Sequence, residues 1–184
     1  MMDERARTDG FTLIELLVVL SLIAILAALA VPVYQRVIQN GRATACVSNL
    51  RQIGVGLGAY LADNNNVMPT LLTARASISA PGAVIDNTLS RYITNPSVFA
   101  CPADLGGFAK STGTSYFWNV AINGQSVANL NFLPMLQSSQ NTQSPSQIPI
   151  MADKEGFHPY LANKVNVLYA DGHATKDLSF VTGN

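Results

Sequence analysis

From Leu16 to Gln35 the chain carries no charged residue, and at ~1.5 Å per residue this run is about long enough to cross a bilayer as a helix. Glu15 stands at its start. A carboxylate in an apolar helix costs on the order of 2.5–3.5 kcal/mol near mid-membrane and less near the interface, so an unpaired Glu15 is hard to rationalise there. It needs a cation.

A cut after Gly10 would supply one, because Phe11 would then begin the chain with a free α-amine. In a parallel bundle of such helices, displaced axially, the amine of one subunit meets Glu15 of another. With Gly10 followed by FTLIELLVVLSLIAILAALAVPVYQ, the segment resembles the class III signal of type IV pilins and of the pseudopilins of type II secretion. A small residue precedes the cut, Phe11 follows it, Glu15 is fifth in the mature chain, and Pro32 stands at the helix end. The resemblance implies that a prepilin peptidase, a membrane-embedded aspartyl protease, cuts between Gly10 and Phe11 and N-methylates Phe11. Phe11, Glu15 and Pro32 would then serve assembly with other pilin or pseudopilin subunits on an inner-membrane assembly platform.

An ordinary secretory signal is the competing reading, with Ala27, Ala28 and Ala30 as its cleavage region. Such signals use an apolar stretch of ~7–15 residues and have no reason to carry Glu15. Counting only basic residues, Arg5 and Arg7 keep the leader cytoplasmic, so the remainder of the chain faces outward from the lipid bilayer. The expected location is the inner membrane with a periplasmic C-terminal domain, then a periplasmic or surface filament.

The chain has 184 residues, which leaves one small globular domain after a leader and a long helix. The expected division is a leader at 1–10, a helix at 11–62 whose first part, 11–33, is the transmembrane and assembly segment, and a β-rich domain at 63–184. Eleven basic and eleven acidic side chains balance, without a basic stripe, so no nucleic-acid partner is indicated.

Beyond Pro32, where one backbone hydrogen bond is lost and a local loosening is expected, apolar residues recur at helical spacing. Tyr34, Val37, Ile38, Ala45, Ile53, Leu57, Tyr60 and Leu61 predict an amphipathic stem. Gly54, Gly56 and Gly58 each weaken it by roughly 1 kcal/mol relative to Ala, which is bearable where they let a sheet approach. Asp63 to Asn66 end the helix, and a loop follows over 67–85. Asp86 is expected to cap a short helix through Leu89, Tyr92 and Ile93, closed by Asn95 and Pro96.

A strand is expected over Ser97–Cys101, a turn region over Asp104–Thr112 and a strand over Thr114–Ile122, with Trp118 in the core. Asn123-Gly124 forms a turn, and Gln137–Gln147 reads as an exposed loop. The last strands are Ile148–Ala152, Val165–Ala170 and Asp177–Val181, the latter two joined by an Asp171-Gly172 turn. The fold class is therefore α+β: a long N-terminal helix packed on a small antiparallel sheet, which resembles the pilin fold. CPAD at 101–104, PSQIPIMAD at 145–153 and VNVLYADGH at 165–173 further resemble the tail of H-X9-DG prepilin-type proteins. Here twelve residues, not nine, separate His158 from Asp171.

Two cysteines, Cys46 on the helix and Cys101 in a later strand, leave two readings open: a disulfide, which an oxidising compartment permits, or two buried unpaired thiols. Without CxxC spacing they do not point to zinc. Oxygen ligands from Asp153, Glu155 and Asp171 suit calcium, which major pseudopilins hold in a C-terminal loop; acids at strand ends also serve as turn formers. No GxSxG, HExxH or phosphate-binding glycine loop is present, so an enzyme is not expected. The alternative to a structural subunit is a minor pilin displaying a surface for adhesion or DNA uptake. Abundance separates the two, since a major subunit is in large excess over a tip protein.

Overall fold

The computed structural model describes residues 11–130, 144–154, 156–158 and 165–176. The chain divides into two compact units, 1–38 and 39–184. The first helix, α1, spans Leu13–Asp63, with Pro32 inside it. Its start is set by a capping box: Thr12 precedes the first helical residue and Glu15 lies three positions on. The Thr12 N–H and hydroxyl both donate to Glu15 Oε2, at 2.9 and 2.7 Å, and the Glu15 N–H donates to Thr12 Oγ1 at 3.3 Å.

In the first unit every side chain from 11 to 38 is exposed. The expected stem stripe is corrected here: Tyr34, Val37 and Ile38 are outside the core, and Ala45 is only half-buried. The buried face begins later, with Ala43, Cys46, Val47, Leu50, Ile53 and Leu57. Its spacing is helical, but half of it consists of small or short side chains that a search for large apolar residues overlooks.

Among the described residues, the second unit holds a four-stranded antiparallel sheet in the order β1 (Tyr116–Trp118), β2 (Pro149–Asp153), β3 (Val167–Tyr169) and β4 (Ala174–Thr175). Tyr116 pairs with Asp153, Ala152 with Val167 and Leu168 with Ala174. All three residues of β3 are buried, as a strand covered on both faces requires. Residues 39–63 of α1 share one apolar core with the sheet: Leu50, Ile53 and Leu57 cluster with Trp118, Ile150 and Leu168. The Arg51 guanidinium also donates to the Ala174 carbonyl, at 3.3 Å.

The glycines of α1 differ in what they face. A Cβ on Gly54 would lie 3.2 Å from Leu168 in β3, so this one does admit the sheet. A Cβ on Gly56 would lie 2.5 Å from Ile93, whereas Gly58 faces open space. Gly58→Ala should therefore stabilise the domain by roughly 0.5–1 kcal/mol through helix propensity. Gly56→Ala should lose that gain to overpacking of about 1–3 kcal/mol. Urea midpoints of the two variants moving in opposite directions would bear this out; equal shifts would remove the packing argument.

Several local expectations are revised. The short helix α2 spans Ile85–Thr88 with Val84, not Asp86, at its N-cap, and the Asn87 side chain accepts the Val84 N–H at 2.9 Å. Asp86 instead pairs with Arg75, 2.5 Å away, whose Nε also donates to the Thr112 carbonyl at 3.0 Å. This ion pair holds part of the 67–85 loop against the domain. The expected strand over Ser97–Cys101 is a 3-10 turn at Pro96–Phe99, because Asn95 accepts the Ser97 N–H and caps it.

Within the expected turn region a short helix, α3, forms over Phe108–Thr112; Asp104 accepts the Phe108 and Ala109 N–H groups at 3.0 and 2.8 Å. The expected strand over Thr114–Ile122 stops at Trp118 and gives way to a 3-10 turn at Val120–Ile122, with Asn119 as its cap. Trp118 is in the core, and its Nε1 donates to Asn123 Oδ1 at 2.7 Å. The expected closing strand at 177–181 and residues 137–143 of the expected loop lie outside the described residues. Among the described residues, β3 pairs with Ala174–Thr175, just after the turn that contains Gly172.

Candidate functional site

Among the described residues, two places concentrate chemistry. The first is the start of α1. Phe11 is exposed, and Glu15, the only charged side chain between Phe11 and Gln35, has its carboxylate turned back on Thr12. A charge at the head of an apolar helix is stabilised by the unpaired N–H groups and positive dipole end of that helix. Thr12, three residues before Glu15, is the residue that sequence reasoning missed, although its Thr-x-x-Glu spacing is a legible signal. Gly10 lies outside the described residues.

The second place is inside residues 39–184. Cys46 and Cys101 are joined by a disulfide, with their Cα atoms 5.1 Å apart. Cys46 arrives there on the buried face of α1. Cys101 is positioned by hydrogen bonds on either side of it. The Asn49 side chain donates to the Ala100 carbonyl at 3.0 Å, and the Cys101 N–H donates to Ser115 Oγ, also at 3.0 Å. Ser115 in turn donates to Asp104 at 2.8 Å. Burial alone raises the Asp104 pKa, but the N–H groups of Ala109 and Phe108 and the Ser115 hydroxyl outweigh it and hold this carboxyl below the usual range.

Against this disulfide stands a buried polar cluster. His158 Nε2 is 3.6 Å from Cys101 Sγ and 2.7 Å from Asp153 Oδ2. Asp153 lies at the end of β2, and Asn166, just before β3, donates to it twice: through its N–H to Oδ1 at 2.8 Å and through Nδ2 to Oδ2 at 2.6 Å. His158 and Asp153 are each only 2% exposed, so these hydrogen bonds, not water, satisfy their polar atoms. Tyr116, opposite Asp153 in the sheet, has its phenol pKa pushed up by burial and further by the Asp153 charge. His158 Nδ1 and Asn166 Oδ1 are buried without a hydrogen-bond partner among the described residues.

The residues expected to hold calcium are distributed differently. Asp153 sits among sulfur and nitrogen groups, Glu155 lies outside the described residues, and Asp171 is exposed in the turn between β3 and β4. There Asp171 accepts the His173 N–H at 3.1 Å and lies 2.5 Å from His173 Nδ1. Burial works against ionising Asp171, and the contacts to His173 outweigh it, leaving its pKa lowered. The His173 ring stacks on Tyr169, with centroids 4.4 Å apart. Among the described residues, the metal-ligating groups gathered around Asp153 are two sulfurs and an imidazole, whereas calcium takes oxygen ligands.

The exposed apolar helix, opened by Thr12 and Glu15, defines a segment long and apolar enough to cross a membrane. Residues 5–31 match the family model described as the prokaryotic N-terminal methylation motif, a match consistent with a type IV pilin-like prepilin. That motif implies processing by a prepilin peptidase and assembly with other pilin subunits, and it fits inner-membrane anchoring. Neither a curated protein nor a solved structure matches the chain.

Proposed function

We propose that this chain is a filament-forming subunit of the type II secretion pseudopilin kind, whose work is polymerisation and not catalysis. The observation that carries the reading is the exposed apolar segment from 11 to 33 with a single charged side chain, Glu15, near its head, most of it within the matched methylation motif. In this reading the helix waits in the inner membrane until cleavage after Gly10 frees the Phe11 amine. Extraction into the filament then brings that amine to Glu15 of a neighbouring subunit. Contacts between subunits replace lipid along the apolar face, and the 39–184 unit stays in the aqueous compartment.

The test is the intact mass and N-terminal peptide of the protein extracted from its native membrane. A chain beginning at N-methylated Phe11 is the expected result. A chain beginning after Ala30 would mean an ordinary secreted domain, and an uncut Met1 a simple anchor; either would overturn the reading.

A further inference from the structure

We propose that, in the reduced chain, Cys46, Cys101, Asp153 and His158 form a buried metal site of the zinc class, which the disulfide closes. One ligand atom from each of these four residues lies within 4.8 Å of all the others, and all four residues are buried. A tetrahedral zinc ion takes sulfur at ~2.3 Å, nitrogen at ~2.0–2.1 Å and oxygen at ~2.0–2.2 Å, which places its ligands roughly 3–4 Å from one another. The cluster therefore needs only small side-chain shifts to hold an ion once the sulfur–sulfur bond is open. Two thiolates, an imidazole and one carboxylate oxygen are a set that favours zinc over calcium or magnesium.

Other features support the same assignment. The Asn166 N–H and side-chain amide fix the Asp153 carboxylate, the kind of outer hydrogen bonding that orients a ligand. Cys101 is held through its own N–H by Ser115, so its place does not depend on the disulfide alone. A surface cavity of about 340 Å³ is lined by Lys154 and Phe157, the chain neighbours of Asp153 and His158, and by Ala103, two residues from Cys101.

The chemistry is an exchange of one crosslink for another. Reduction of the Cys46–Cys101 bond by an external dithiol takes up two electrons and two protons, yielding two thiols while the dithiol becomes a disulfide. Zinc binding then displaces those two protons as the thiolates coordinate. In the reverse direction the ion leaves, the sulfur–sulfur bond re-forms, and two electrons pass to a disulfide-type oxidant. This inference does not rest on the filament reading, and its test does not involve assembly.

Full-length protein in detergent, reduced anaerobically with a phosphine that does not bind metals, is mixed with Zn²⁺ or Co²⁺ and freed of excess ion. The expected result is one ion per reduced chain and none per oxidised chain. Co²⁺ should give the thiolate charge-transfer band and intense visible bands of a tetrahedral site. His158→Ala and Asp153→Asn, reduced in the same way, should each bind about tenfold more weakly or worse and shift the cobalt spectrum. Should the reduced chain lose its near-ultraviolet circular dichroism, recovery of that signal on adding Zn²⁺ supports the site. Failure to recover it overturns the proposal, as does a folded reduced chain that takes up no ion, or His158 and Asp153 variants that bind as the parent does.

Discussion

Glu15→Ala and Glu15→Gln should both leave the chain cleaved, methylated and membrane-inserted, yet both should lower filament yield by about tenfold or more. The two substitutions separate two roles of one side chain. Glu15 closes a capping box with Thr12, and Gln at the same position can close it as well. Alanine removes both the cap and the charge, whereas glutamine removes only the charge. A partly desolvated ion pair worth about 2 kcal/mol per subunit is roughly thirtyfold in the equilibrium for adding that subunit. Insertion itself should be unharmed, because removing a carboxylate from an apolar helix makes entry into lipid easier. The readouts are sheared-filament yield against total protein, with N-terminal peptides confirming the cut. Normal assembly by Glu15→Gln would sink the pairing idea and leave the cap as the whole role of the residue.

What could be read from the sequence is what depends on neighbours a few residues away. The α1 helix, the buried Val167–Tyr169 strand and the turn at Gly172 each announce themselves through local periodicity or turn chemistry. Local logic assigns Asp86 to a cap, but its partner, Arg75, lies eleven residues away on a loop without periodicity. Residues 97–101 look like a strand until Asn95 is seen to cap a tight turn over them. The four-residue cluster is harder still. It needs α1 to present Cys46, Ser115 to hold Cys101, and the β1–β2 register to set Asp153 opposite Tyr116. It also needs the chain after β2 to return His158. None of these four steps leaves a spacing that a sequence motif could encode, so Cys46 and Cys101 give no hint of their histidine and carboxylate neighbours. The N-terminal site is legible for the opposite reason: one helix start contains all of it.

Loss of the Cys46–Cys101 bond should be the largest single blow to the stability of the 39–184 unit. The bond joins residues 55 apart in sequence, and constraining a loop of that length in the unfolded chain contributes about 4 kcal/mol. Small domains have roughly 5–15 kcal/mol in total, so a large share is at stake. At a slope of about 2 kcal/mol per molar urea, the midpoint should fall by about 2 M in Cys101→Ala. Cys46→Ala should fall by a similar amount, and the double variant little further, because one bond is removed in all three. Alanine is the right replacement, since serine would bury a hydroxyl whose partner would have to be His158. Reducing the parent chain should reproduce the same shift. A shift below about 0.5 kcal/mol would mean that the packing of Leu50, Ile53 and Trp118 carries the fold without the crosslink. Adding Zn²⁺ to the reduced parent should restore part of the lost midpoint, since an ion that binds only the folded chain stabilises it by mass action. The cysteine-free double variant should gain nothing, because without its thiolates the cluster retains only one imidazole and one carboxylate as ligands.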